Sequence, residues 1–206
     1  MHRRRTCTTK RWTIHQLTAK PLDLDLHQSL WYALGKARGE TMIYVISDTH
    51  FHHEKIKAYC GRPEDYEEQI YKNLNKLTKK DILIHLGDIT WGHELEIAHY
   101  FRDLPCRVIL AKGNHDSKPC EWYINNGFDF AARKFNMKYR GVKICFSHRP
   151  AGWDGDWELN ICGHLHNLTH KAGESVVDPS FVKVISLELM GYKPFQLNEL
   201  IKEFKK

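Results

Sequence analysis

The sequence predicts a single-domain, layered α/β fold, on three observations. From Met42 onward, short β-rich apolar runs alternate with longer amphipathic stretches, the pattern of strands alternating with helices. Apolar side chains make up 42% of the 206 residues, enough for one sizeable core. Polar clusters of Asp, Asn and His follow one strand candidate after another, several with Gly beside them. In layered α/β folds the carboxyl ends of strands form the edge where ligands bind.

Strands are predicted over 42–47, 81–86, 107–111, 142–147, 158–162 and 182–189. Between the first two, Tyr66, Ile70, Leu74 and Leu77 recur at helical spacing in a segment opened by Pro63 and acidic residues, as a helix N-terminus favours. Further helices fit 93–104 and 196–205. Residues 42–206 form the body, and 1–41 read as an N-terminal extension. Met42 immediately precedes the first apolar run and is a candidate start. Three readings stay open for 1–41: an upstream or poorly ordered extension, a docked helix around Leu26 to Ala37, or an organelle-targeting segment.

The formal charge of +6 resides mostly in that extension, where eight Lys/Arg face three Asp/Glu; the body holds 23 against 22. The body's net charge therefore offers no support for a long phosphate-tracking groove. A nucleic-acid partner is possible but not indicated. No apolar run approaches the roughly 20 residues needed to cross a bilayer, so no membrane partner is expected. Six cysteines are scattered without a CxxC pair, which fits a reducing, cytoplasmic setting. Cys145 and Cys162 sit in apolar runs and read as small buried hydrophobes.

The chemistry lies in five clusters, at Asp48 and His50, at Asp88, at Asn114, His115 and Asp116, at His148, and at His164 and His166. A lone His at any of these positions would more often be a satisfied core or surface residue. Jointly, imidazoles and carboxylates at converging strand ends suit Mn, Fe or Zn, and the lack of clustered cysteines argues against a structural zinc knot. Two ions need one anionic bridge and enough neutral donors to leave positions open for water and substrate. Two Asp, four His and one Asn meet that requirement.

In order, the blocks Asp48-Thr49-His50, Gly87-Asp88, Gly113-Asn114-His115-Asp116, His148 and Gly163-His164-Leu165-His166 resemble those of the calcineurin-like metallophosphoesterase superfamily. The resemblance spans Met42 to about Leu189. It implies mixed β-sheets sandwiched by helices and two divalent ions, Mn foremost, with Fe, Zn, Ni or Mg as alternatives. It further implies that Asp48, His50 and His166 hold one ion, that Asn114, His148 and His164 hold the other, and that Asp88 bridges them. A metal-bridging hydroxide would then attack phosphorus. His115 would act as general acid, with Asp116 orienting its ring.

The second block lacks the Gly-Asp-x-Val-Asp-Arg-Gly extension of phosphoprotein phosphatases, and the RNA-debranching branch usually has Cys where this chain has Asp48. The opening Asp48-Thr49-His50-Phe51-His52-His53, with Arg62-Pro63 after it, is similar to small uncapped bacterial and phage phosphoesterases. Small phosphodiesters or nucleotide-like phosphomonoesters are the expected substrates; a nuclease and a non-catalytic scaffold are the alternatives. Arg62 and Arg149 are candidate phosphate binders because guanidinium offers a planar fork of donors. His52 and His53 are further candidates for touching substrate. The loop Trp153 to Trp157 suits either base stacking or packing.

Overall fold

The computed structural model describes residues 41–166, 178 and 180–205, so the expectations for 1–40 lie outside the described residues. The first sheet is ordered β4-β3-β2-β1-β9, built from β1 (Ile43–Ile46), β2 (Ile82–His85), β3 (Arg107–Ala111), β4 (Phe130–Ala132) and β9 (Phe195–Gln196). Its β1 to β4 are mutually parallel, and β9 runs antiparallel along β1. The second sheet is ordered β5-β6-β7-β8, from β5 (Lys134–Tyr139), β6 (Val142–Ser147), β7 (Leu159–Cys162) and β8 (Val182–Val184). Here β5 is antiparallel to β6 and the rest are parallel. Only Arg133 separates β4 from β5, so the chain changes sheets across one residue.

The apolar runs of β1 to β3 are continuous because both faces of the first sheet are covered. Ile46, Leu83, Val108 and Leu110 point to one face, where they meet Tyr66, Ile70 and Leu74 of α2 (Tyr66–Leu74) and Ile97 and Phe101 of α3 (Glu94–Asp103). The alternate residues Val45, Ile84 and Ile109 face Ile144, Phe146, Leu159 and Ile161 of the second sheet. At roughly 1.5–3 kcal/mol for each large apolar side chain removed from water, these two cores dominate the favourable side of folding. They also hold the β1, β2, β3, β6 and β7 carboxyl ends on one edge.

The remaining helices are α1 (Glu54–Cys60), α4 (Cys120–Asn125), α5 (Leu187–Met190) and α6 (Leu197–Phe204). The strand expected over 182–189 stops at Val184, and Leu187–Met190 turns into α5. An apolar run this short carries no reliable period, and Leu, Glu and Met all favour helix. Three strands went unpredicted. The clearest, β5, does show alternation, with Phe135 and Met137 buried between Lys134, Asn136 and Lys138. Cys145 and Cys162 are fully buried, as expected. Among the described residues no helix is long and apolar enough to cross a membrane.

Candidate metal centre

Five loops meet at the strand carboxyl ends, and the backbones of three of them are sharply kinked. Asp48, His50, Asp88, His164 and His166 all have φ between 47° and 68°, the left-handed region that L-residues avoid at about 1–2 kcal/mol each. The kinks turn consecutive side chains inward, and hydrogen bonds between loops hold them. Asp48 N–H donates to Gly87 O at 3.0 Å, His50 N–H to Asp88 O at 3.0 Å, and Gly163 N–H to His148 O at 2.9 Å. The glycines serve this loop-on-loop packing. A Cβ on Gly163 would collide with Ser47 Oγ and Asp48 Oδ2, and one on Gly113 with the Asp88 carboxylate and amide.

Asp48 Oδ2 accepts from Ser47 Oγ at 2.5 Å and from His164 N–H at 2.8 Å. Its Oδ1 is buried without a hydrogen-bond partner. Facing that oxygen are His50 Nε2 at 3.8 Å and His166 Nε2 at 3.7 Å. Both His50 ring nitrogens are also buried and unpartnered, and burial pulls that imidazole's pKa down to about 2. A cluster of orphaned lone pairs in a dry site is what a cation satisfies.

Asp88 lies between two such groups. Its Oδ2 is 3.7 Å from His50 Nε2 and 3.2 Å from His148 Nε2, while Oδ1 accepts from His115 N–H at 2.8 Å. His148 Nε2 is 3.0 Å from Asn114 Oδ1 and 3.1 Å from His164 Nδ1. Burial acts to lower the His148 pKa, but the hydrogen bond to Asp88 and the charges of Asp48 and Asp88 outweigh it and raise the value to about 9. Burial is likewise outweighed at Asp88, where His148 and His50 hold the carboxyl below its usual range. The seven residues expected as ligands therefore converge on one space, six of them buried and Asn114 exposed, as two groups of donors with Asp88 between them.

The rings are oriented from behind. His148 Nδ1 lies 2.8 Å from Leu86 O, and a carbonyl can only accept, so Nδ1 carries a proton and Nε2 is the nitrogen turned inward, toward Asp88 and any bound cation. His166 Nδ1 lies 3.0 Å from Glu188 Oε1, with the same consequence. Fully buried His85 accepts Gly87 N–H on Nδ1 at 3.0 Å and meets Thr49 Oγ1 through Nε2 at 2.9 Å, tying the first two loops together. Its pKa falls to about 3 through burial, so the ring stays neutral.

Three expectations are corrected. Arg62 does not reach the cleft. Its side chain is 0% exposed, and it donates to Glu188 Oε1 from Nε at 2.9 Å and Nη2 at 2.8 Å, to Thr49 O at 3.0 Å and to Asp48 O at 2.7 Å. Four of five donors are thereby committed, two to carbonyls of the first loop and two to Glu188. Asp116 does not orient His115. Its carboxylate accepts the amides of Asp88 at 3.0 Å, Gly113 at 2.7 Å and Ile89 at 2.9 Å, clamping the second loop to the third. His52 also points away from the cleft, toward α3.

Two cavities flank the centre. One, of about 380 Å³, is lined by His53, Tyr59, Cys60, Trp91 and His115 together with His50. Its wall is aromatic, with His53 stacked on Trp91 at 4.4 Å and 12°, and Trp91 lying 5.1 Å from the His115 ring. The other, of about 480 Å³, adjoins Asn114 and His148 and carries Lys112, Arg133, Lys134 and Arg149. Of the two tryptophans in the 153–157 loop, Trp157 is buried and Trp153 exposed. Sequence reasoning missed Glu188, His85 and Trp91; of these, only His85, at the end of an expected strand, carried a signal that could have been read.

Residues 41–172 match the family described as calcineurin-like phosphoesterase. The uncharacterised protein MJ1445 of Methanocaldococcus jannaschii is 28% identical over 176 residues, 80% of this chain and 92% of its own length. The crystal structure of AQ665 from Aquifex aeolicus, a protein of unknown function, superposes with a TM-score of 0.63 at 29% identity, over 80% of this chain and 100% of that one.

Replacing Glu188 by Ala strands a buried guanidinium, and should cost about 3–5 kcal/mol in urea unfolding; a loss below 1 kcal/mol, on the order of a surface ion pair, would refute that role. Gly163→Ala should cost about 1–3 kcal/mol in the same assay, because neither Ser47 nor Asp48 can retreat without breaking its hydrogen bonds.

Proposed function

The chain belongs to the calcineurin-like phosphoesterase family, and from that premise we propose that it hydrolyses phosphate esters with two divalent metal ions. The observation that carries this reading is the pair of donor groups joined by Asp88, with Asp48 Oδ1 and His50 Nε2 buried and unpartnered. Asp48, His50 and His166 would hold one ion, Asn114, His148 and His164 the other, and Asp88 both. The mixture of imidazole, carboxylate and amide donors suits Mn²⁺, Fe²⁺ or Zn²⁺. Bound there, the ions supply a clamp for phosphoryl oxygens and an acidified water as nucleophile.

The chain's own residues do the rest. Glu188 and the Leu86 carbonyl fix the tautomers of His166 and His148. His115 is the one imidazole of the constellation with substantial exposure, 38% of its side chain, and its ring lines the aromatic cavity. From there it protonates the departing ester oxygen. Its Nε2 stands 3.9 Å from Asp88 Oδ2. The aromatic wall of His53 and Trp91 accepts an aryl or nucleoside leaving group, so small phosphodiesters and nucleotide-like monoesters are the substrates proposed first.

A second reading, cleavage of nucleic acid, gains from the basic cavity. The body's near-zero net charge conceals a local cluster of Lys112, Arg133, Lys134 and Arg149 beside Asn114 and His148. A panel of aryl mono- and diesters, cyclic nucleotides and single-stranded DNA and RNA, run with several divalent metals, tests both readings.

Asp88→Asn should lose both ions in metal analysis. His115→Ala should keep them while turnover of a substrate with a poor leaving group falls about 10²–10⁴-fold; full activity in that variant would rule out the acid role. Arg133→Glu should lower oligonucleotide cleavage and flatten its salt dependence while sparing a small aryl diester. Equal effects on both substrates would count against the nuclease reading.

A further inference from the structure

Outside the centre, a second constellation of metal-binding side chains stands where the first loop meets α3. His52 has φ 62°, and its backbone N–H donates to Glu67 Oε1 at 2.8 Å, which turns the ring away from the cleft and onto the start of α3. His93 occupies the position before the first residue of α3, and Glu96 lies in the first turn. A spacing of three residues puts both side chains on the same face. Glu96 offers one oxygen to each imidazole, with Oε2 3.2 Å from His93 Nδ1 and Oε1 3.9 Å from His52 Nε2. The two rings approach to 4.3 Å between centroids at 35°.

We propose that His52, His93 and Glu96 form a third divalent-metal site of the zinc type, separate from the catalytic centre. One donor atom from each lies within 4.8 Å of the others. Tetrahedral zinc, with ligands at about 2.0–2.2 Å, needs donors on the order of 3.4 Å apart. Glu96 stands 3.2 Å from His93 Nδ1 through Oε2 and 3.9 Å from His52 Nε2 through Oε1, and the side chains of His93 and Glu96 are 51% and 65% exposed, so rotation can bring one oxygen to both imidazoles. His52 Nε2 supplies the second observation, since it is buried without a hydrogen-bond partner. One shared cation would satisfy both imidazoles and the carboxylate. Two imidazoles and one carboxylate leave a fourth position for water.

The ion would staple the first loop to α3. That loop also carries His50, and His53 stacked on Trp91, so the same ion would stiffen the aromatic wall of the cleft.

The test uses the full chain, stripped with chelator and titrated with Zn²⁺ alone, counting ions per chain after gel filtration. Wild type should hold one more ion than Glu96→Gln and one more than His93→Asn. The Zn²⁺-induced rise in melting temperature should shrink in both variants. His52→Gln, on a different element, should lose the same ion. Identical ion counts in wild type and all three variants, each melting cooperatively without zinc, would overturn the site.

Discussion

The centre depends on one backbone constraint, that the chain turns into left-handed conformation at the strand ends and does so with Asp and His in place of glycine. Asp48, His50, Asp88, His164 and His166 all adopt it. At about 1–2 kcal/mol apiece the turns would together consume much of a typical domain's stability of ~5–15 kcal/mol. They persist because neighbouring loops over-determine them. The loop after β1 continues beside the loop after β2, amide to carbonyl, as far as the bridge between Phe51 and Thr90. Asp116 ties three amides of the second and third loops to one carboxylate, and Arg62 gathers two carbonyls of the first.

Buried charge is the second consequence. Asp48, Asp88, Asp116 and the Arg62–Glu188 pair all lie inside. A buried ion pair often gains little over well-packed apolar residues, so net stability is a weak account of Arg62 and Glu188. Position is a better one. Glu188 Oε1 receives Arg62 and His166, and Oε2 receives Ser186 Oγ at 2.9 Å. Glu188 thus couples the ring of His166 to the backbone of Asp48 and Thr49, and the two sides of one donor group move as a unit.

Much of this was legible in the sequence, and the failures have physical causes. The parallel strands could be read because each is an apolar run ending in polar residues, and the donor clusters because they fall at those ends. Arg62 was misread because its fork of donors suits a phosphate and a set of backbone carbonyls equally well; burial decided the matter, and burial is a tertiary property. Asp116 misled through adjacency to His115, whereas its carboxylate reaches back across the loop to amides of another segment. Glu188 was hidden inside a run that reads as strand. The edge strands β4, β5 and β9 are short or polar on one face, and their pairing is set by partners far along the chain.

Net charge is silent on local arrangement for a related reason. A sum near zero over the body is compatible with Lys112, Arg133, Lys134 and Arg149 gathered on one side of the donors and aromatic residues on the other. The basic side is created where the chain crosses between sheets, since Arg133 is the crossing residue and Lys134 opens β5. The aromatic side is created by the loop after β2, which presents Trp91 to His53. The strand ends thus fix the donors, and the connections between strands shape the walls. Phosphorus would meet the donors whatever the substrate, so discrimination between substrates has to come from the walls, which are made by the segments whose structure the sequence disclosed least.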